Sequence, residues 1–308
     1  MFNYINKLIY LTSNPFLLYI KLKGRISKLI YKFFANNFFT INVIKMCIEK
    51  IYFTKSYTID KDYSILNYNE PINLIKISLL CPTRDRSDNI IRLLDSIRIT
   101  SYDLSQIQIV FYIDYDDRKL MEFFNVEDLN LFGINIKVIV GNRILLSDMW
   151  NICYLNSSGP ILMHCSDDII FKTNNWDKIV IDSFELIPDK IAFVHGSDGV
   201  NDFPTHGFLH KNWCDTLGYF LPPYFSSDFN DTWLNDVSLK LGRKIFIPIL
   251  TDHMHPGLNK SAYDKNYLQN LNRGVKDNVS VLYSITKTQR ELDFLKLKIK
   301  IIESLLNK

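Results

Sequence analysis

Two adjacent carboxylates stand out as groups that could do chemistry. Asp167 and Asp168 follow an apolar run that starts at Ile161, and the chain becomes apolar again through Phe171. Burying carboxylates beside a core strand is unfavourable unless a positive group lies next to them. A divalent cation bound to a phosphate ester would be such a group. The segment therefore predicts a metal–nucleotide site at the mouth of an α/β sheet.

The segments around this acidic pair predict the sheet itself. Strand-like runs lie at residues 75–81, 107–113 and 134–140, and a fourth follows Gly159 and Pro160. Amphipathic patterns predict one helix capped by Asp88 and another over residues 147–156. This order is typical of a largely parallel α/β sheet.

Polar clusters follow each of the four predicted strands. They lie at residues 83–86, 114–117, 142–143 and 167–168. In α/β sheets the ligand binds beyond the carboxyl ends of the strands. Four polar strand ends in succession therefore predict a single convergent site.

The two ends of the chain differ from this central part in amino-acid composition and pattern. Residues 1–48 contain seven basic residues and no Asp or Glu, and apolar residues recur at helical spacing beside a basic stripe between residues 21 and 33. Such a helix either lies on an anionic membrane surface or packs on its own domain. We therefore expect a basic N-terminal extension and linker over residues 1–72, a main domain over residues 73–260 and a helical tail over residues 261–308. The last helix, at about residues 286–307, either packs on the domain or pairs with a partner.

Composition narrows the function classes. The formal net charge of +3 is too small to indicate nucleic acid as a partner. The five cysteines show no CxxC spacing, which favours a reducing compartment. No stretch reaches the roughly 18 apolar residues that a spanning helix needs. We expect a cytoplasmic protein, peripheral on the membrane if the extension binds there.

The order of the motifs resembles that of inverting family-2 glycosyltransferases with the GT-A fold. The resemblance covers about residues 74–258. It rests on motifs at residues 82–86, 114–117, 159–168, 217–220, 230–234, 242–243 and 253–255. It implies a Rossmann-like α/β domain with a mostly parallel central sheet. It also implies transfer of a sugar, with inversion, from a nucleotide-diphosphate donor to a glycan, lipid or protein acceptor.

The resemblance implies a metal site that uses Mn²⁺ or Mg²⁺. Asp168 is the expected direct ligand, and Ser166 stands where the family usually has an aspartate. His255 and His253 are the expected imidazole ligands, with His255 preferred because Pro256 and a glycine follow it. A zinc site formed by these residues with other histidines is an alternative, although no zinc spacing stands out. Those other histidines are His164, His195, His206 and His210.

The nucleotide would lie along the four strand ends. The residues expected to contact it are Pro82, Thr83, Arg84, Arg86, Asp114, Asp116, Asn142, Arg143 and Asp167. Among these, Asp167 is expected to contact the ribose or a metal-bound water.

Inverting transfer needs a base beside the acceptor hydroxyl. Asp231 occupies the position of the family's base, and Asp228 is its competitor. Asn230 replaces the acidic residue that usually precedes the base. Side chains expected near the acceptor are Asp198, His206, Tyr224 and Trp233.

Two other functions compete with this interpretation. A sugar nucleotidyltransferase also places a nucleotide and acidic metal ligands on an α/β sheet, but it usually has a glycine-rich loop that residues 82–86 lack. A noncatalytic glycan- or membrane-binding protein on a degenerate transferase fold is the second. The presence of Asp168, Asp231 and a histidine at residues 253–255 argues against the loss of the catalytic residues.

Overall fold

A mixed sheet of nine strands forms the centre of the molecule. The computed structural model describes residues 62–69, 74–199 and 203–306. The strands are β1 (Tyr63–Tyr68), β2 (Ile77–Thr83), β3 (Ile107–Asp114), β4 (Asn135–Gly141), β5 (Ile161–His164), β6 (Ile169–Phe171), β7 (Phe193–Ser197), β8 (Gly207–His210) and β9 (Lys244–His253). Their order in the sheet is β1-β4-β3-β2-β5-β8-β7-β9-β6.

Nine α-helices in the described residues flank this sheet. They are α1 (Ser87–Thr100), α2 (Arg118–Val126), α3 (Leu146–Leu155), α4 (Trp176–Glu185), α5 (Lys211–Leu217), α6 (Asn230–Leu241), α7 (Lys265–Lys276), α8 (Val279–Ile285) and α9 (Lys287–Leu306). Within these ranges, no helix is both long enough and apolar enough to cross a membrane.

The central strands β4, β3, β2 and β5 run parallel, as the sequence predicts. Every residue of β3 is buried, because helices cover both faces of a parallel sheet and such strands become continuous apolar runs. The outer pairings are mostly antiparallel: β1 with β4, β5 with β8, β7 with β8 and β6 with β9. The predicted α/β class with a parallel centre and a C-terminal helix is confirmed.

Two apolar layers hold the helices to the sheet. On one face Leu93 of α1 and Trp176 of α4 pack against the inward side chains of the strands. On the other face Trp150 of α3, Trp213 of α5 and Trp233 of α6 do the same. The two layers lie on opposite faces of the sheet, because alternate residues of the central strands belong to different layers.

One segment differs from its predicted role, and one helix was not predicted. Residues 63–68, expected to be part of a linker, form the edge strand β1, and Leu66 and Tyr68 pack against the core. The Tyr68 hydroxyl donates to the carbonyl of Phe124 at 2.5 Å. Phe124 belongs to α2, a helix that the sequence analysis did not anticipate. The rest of the predicted N-terminal extension, including its basic helix, lies outside the described residues.

The C-terminal helix packs on its own domain. Leu297 and Ile301 of α9 are buried in the same layer as Trp233. Asp293 of α9 is also fully buried and accepts a hydrogen bond from Trp233 Nε1 at 3.0 Å. At α1, Arg86 holds the cap position and Asp88 lies in the first turn, so Asp88 is not the cap.

Candidate active site

Asp167 lies at the centre of the carboxyl edge of the sheet. It is 3% exposed, and Thr83 at the end of β2 donates to its Oδ2 at 2.6 Å. Arg86 and Asn89 donate to its Oδ1 at 3.0 and 3.3 Å. Burial raises the pKa of Asp167, and the positive charge of Arg86 opposes that rise. The cation that offsets this buried carboxylate is therefore a guanidinium from the chain itself.

A second polar group lies at the end of β3. Arg84 donates to Asp114 at 2.7 Å and to Asp116 at 2.5 Å, while Arg143 Nε lies 3.8 Å from Asp114. Asp114 Oδ1 is buried and accepts no hydrogen bond within the described part of the chain. A buried acceptor of this kind needs a donor, which a ligand could supply.

The remaining predicted nucleotide residues border these two groups. Pro82 is part of β2, and Asn142 is exposed just after β4, where its carbonyl accepts from Tyr112 at 2.6 Å. A cavity of about 250 Å³ opens beside Arg84 and Asp116, and Gln269 of α7 lies on its far side. The structure thus brings the predicted strand-end residues together at one edge of the sheet.

Helix α7 lies across this edge. Asp264, at its cap position, accepts from Arg86 Nε and Nη2 at 2.8 and 3.0 Å. Gln269 accepts from Arg143 Nη1 at 3.3 Å. Residues beyond 260, which the sequence assigned to a separate tail, therefore form one wall of the site.

Asp168, His206 and His253 form a possible metal-binding triad, with their ligand atoms all within 4.8 Å of one another. His253 Nε2 lies 3.5 Å from Asp168 Oδ1. The Ser166 hydroxyl lies 2.5 Å from Asp168 Oδ1 and 2.7 Å from His206 Nε2. The serine that replaces the expected aspartate thus lies between two members of the triad.

Strand register explains why these three residues meet. In the antiparallel pair of β6 and β9, Ile169 lies opposite His253, which brings the preceding Asp168 beside that histidine. In the antiparallel pair of β5 and β8, His164 lies opposite Gly207, which brings His206 beside Ser166. Burial lowers the pKa of His206, so its imidazole is neutral at pH 7 and available as a ligand.

The two histidines expected to bind the metal make different contacts. His253 belongs to the triad, whereas His255 caps the short 3₁₀ turn Pro256–Leu258 and accepts from the Gly257 N–H at 3.0 Å. His206, which the sequence placed with the acceptor, joins the triad in its stead. The sequence analysis named His206 among four histidines of a zinc alternative but could not single it out, because the pairing of β5 with β8 is a long-range contact.

Asp231 and Asp228 lie at the start of α6. Asp231 is partly exposed, and burial raises its pKa. Asp228 is exposed. Burial lowers the pKa of His255, and the negative charges of Asp168 and Asp228 oppose that shift. The ring of His255 also lies close to the triad, with its centroid 5.0 Å from that of His253.

Two side chains expected at the acceptor are buried. Asp198 is 3% exposed and accepts from both the backbone N–H and the hydroxyl of Thr205, at 2.6 and 2.7 Å. Trp233 is 1% exposed and packs in the core. In this structure Thr205 therefore covers Asp198, and the side chains of the core cover Trp233. Tyr224 is half-buried, with its ring 5.9 Å from that of Trp233.

Comparisons with known proteins give matches to solved structures alone. No family model and no curated protein sequence matches the chain. TarS 1–349 from S. aureus, solved with UDP, matches with 13% identity and a TM-score of 0.43 over 57% of this chain and 59% of that one. The mannosyltransferase PcManGT from Pyrobaculum calidifontis, solved with GDP-Man and Mn²⁺, matches with 12% identity and a TM-score of 0.48 over 91% and 99%.

GalNAc-T7, solved with UDP, GalNAc and Mn²⁺, matches with 13% identity and a TM-score of 0.46 over 59% of this chain and 44% of that one. The chain thus spans less than two thirds of TarS 1–349 and of GalNAc-T7. At this identity and these TM-scores, the matches identify no substrate or residue role for this chain.

Proposed function

We propose that this chain is a metal-dependent glycosyltransferase that uses a nucleotide-diphosphate sugar as donor. The observation that carries the proposal is the position of the Asp168–His206–His253 triad beside the polar strand ends. A possible metal site next to two half-buried arginines and a buried, unpaired carboxylate oxygen suits a ligand with both a nucleobase and a diphosphate. Inversion at the anomeric carbon follows from the sequence resemblance.

The donor would occupy the edge formed by the ends of β2, β3 and β4. Asp114 Oδ1 is the natural acceptor for an N–H of the base or a hydroxyl of the ribose. Arg84 and Arg86 supply positive charge, and each is already oriented by two carboxylates, Asp114 with Asp116 and Asp167 with Asp264. Oriented guanidiniums suit phosphate because they present paired N–H donors.

The triad fits a divalent metal ion of the Mn²⁺ type. Two imidazole nitrogens and one carboxylate favour a first-row transition metal over Mg²⁺, which prefers oxygen ligands. Asp168, His206 and His253 would hold the ion. When bound, it would supply charge that offsets the diphosphate as the leaving group departs.

Asp231 is the proposed general base. Its raised pKa matches the task, because a base works best when its pKa approaches the working pH. Asp228 is more exposed than Asp231. We place the acceptor, a hydroxyl of a glycan, lipid or protein, beside the start of α6, with the partly exposed Tyr224 near its edge.

A donor screen tests this function. Nucleotide release from UDP- and GDP-sugars should require Mn²⁺ and should stop in chelator. Asp168→Asn should abolish release, whereas Asp182→Asn, an exposed carboxylate of α4 paired with Lys178, should leave it unchanged. Release that continues in chelator, or in Asp168→Asn, would refute the proposed metal-dependent function.

A further inference from the structure

One hydroxyl lies against both histidines of the triad on the side away from Asp168. Thr205 Oγ1 lies 2.9 Å from His206 Nδ1 and 3.2 Å from His253 Nδ1. It also lies 2.7 Å from Asp198 Oδ2. Thr205 therefore contacts three polar side chains with a single hydroxyl group.

The number of hydrogens settles the direction of these bonds. A hydroxyl has one proton to donate and two lone pairs to accept with. Asp198 is an ionised carboxylate at neutral pH and can only accept, so Thr205 donates its proton to Asp198. The two remaining contacts of Thr205 Oγ1 can then only be hydrogen bonds that it accepts. An imidazole that binds a metal ion through Nε2 carries its hydrogen on Nδ1, so both rings would donate to Thr205 in the metal-bound chain.

We infer that Thr205, oriented by Asp198, positions His206 and His253 for a metal ion, because its hydroxyl accepts from the Nδ1–H of both rings when the ion is bound. In that form the lone pair of each ring is on Nε2, and His206 Nε2 faces Ser166 while His253 Nε2 faces Asp168. Without the ion, Ser166 donates to Asp168, so its contact with His206 Nε2 needs the hydrogen on that nitrogen. The Nδ1–H form is therefore the form of the metal-bound chain.

Topology supports a positioning role for Thr205. His206 precedes β8 and His253 ends β9, so the two histidines come from distant parts of the chain. A single hydroxyl that accepts from both rings holds them at a fixed separation, with ring centroids 4.7 Å apart. The backbone N–H of Thr205 also donates to Asp198 at 2.6 Å, which fixes the hydroxyl itself.

This inference rests on the proposed metal site but not on the identity of the donor. Groups that orient metal-bound histidines typically change metal affinity by about 10- to 100-fold when they are removed. Thr205→Val keeps the shape of the side chain and removes the hydroxyl. Thr205→Ser keeps the hydroxyl and serves as the matched control.

The test is the affinity of the full chain for Mn²⁺, measured by electron paramagnetic resonance in the absence of nucleotide. We expect Thr205→Val to weaken binding by about 10- to 100-fold and Thr205→Ser to stay close to the native value. Equal affinity of Thr205→Val and the native chain, or no Mn²⁺ binding by the native chain, would overturn the inference. Mn²⁺ binding that depends on Thr205 without nucleotide release from any donor would support it and refute the proposed transferase function.

A second measurement does not depend on how well the valine variant folds. Nitrogen NMR of the native chain, labelled at its six histidines and loaded with Zn²⁺ as a diamagnetic substitute for Mn²⁺, reports the protonated ring nitrogen of each. At pH 8, His206 and His253, assigned through single His→Gln variants, should both show the Nδ1–H form with the metal on Nε2. Metal on Nδ1, or an Nε2–H form at either residue in the loaded chain, would overturn the inference.

Discussion

Asn235 joins the two parts of the candidate site. Its side-chain amide, one and a half turns into α6, donates to the carbonyl of Pro204 at 2.9 Å and to the carbonyl of Asp231 at 3.0 Å. Pro204 lies two residues before His206, so this amide connects the helix of the proposed base to the segment of a proposed metal ligand. A buried hydrogen bond thereby links the helix of the proposed base to the segment of the proposed metal ligand.

Removal of this amide should destabilise the protein and misplace the base. Asn235→Ala leaves the Pro204 carbonyl without that donor in a buried place, which costs about 1–3 kcal/mol of unfolding free energy. Urea denaturation measures this cost, and steady-state kinetics should show a lower kcat with little change in donor affinity. Unchanged stability together with unchanged kcat would show that the contact does not hold the site together.

Asp231→Asn should slow transfer and leave donor binding nearly intact. A positioned base contributes about 10²- to 10⁴-fold, and we expect a loss of that size in kcat. Asp228→Asn is the matched control and should have a much smaller effect. Rates and the anomeric configuration of the product check this. A retained configuration, or a larger loss in Asp228→Asn, would remove Asp231 from the role of base.

Asp293 should make folding stability depend on pH. Burial raises its pKa to about 6, although Tyr219, Gln289 and Trp233 donate to the carboxylate. Because the folded-state pKa exceeds the unfolded one, the folded chain holds this proton more tightly. The associated stability is fully present below the unfolded pKa and is lost as pH rises through about 6.

Asp293→Asn removes this dependence while keeping an oxygen that accepts from Trp233. Denaturation at several values between pH 4 and pH 7 measures this difference. As pH rises, the unfolding free energy of the native chain should fall by up to about 3 kcal/mol more than that of the variant. Parallel stability curves for the two proteins would contradict the raised pKa.

The parallel part of the fold could be predicted from the sequence because each of its strands is a local signal. β2 and β3 are continuous apolar runs, and each ends in polar residues that the structure places at one edge. Asp167 and Asp168 were identifiable for the same reason. The antiparallel strands β6 and β8 carry no comparable pattern, since they have only three and four residues.

The choice of metal-site histidines could not be predicted, because it depends on those antiparallel pairings. His255 has the more suggestive neighbours in sequence, yet the register of β6 with β9 selects His253. His206 enters only through the pairing of β8 with β5. The burial of Trp233 and Asp198 could not be predicted for a related reason, since α9 packs on the first and Thr205 on the second.

The basic N-terminal segment should bring the protein to anionic membranes. Residues 20–34 lack acidic side chains, and their basic stripe would face the lipid headgroups. Flotation with anionic vesicles should carry the full chain but not a form that lacks residues 1–55, and neutral vesicles serve as the control. Equal flotation of both forms would leave the segment with a packing role alone.

The exchange of roles between His206 and His255 gives the most direct test of the proposed site. Nucleotide release from the preferred donor is measured against Mn²⁺ concentration for the native chain, His206→Gln and His255→Gln. Because His206 belongs to the triad and His255 caps a turn, His206→Gln should lose Mn²⁺-dependent release, while His255→Gln should keep the native dependence on Mn²⁺. Normal Mn²⁺-dependent release by His206→Gln, or its loss in His255→Gln alone, would contradict the metal-dependent transfer proposed for this site.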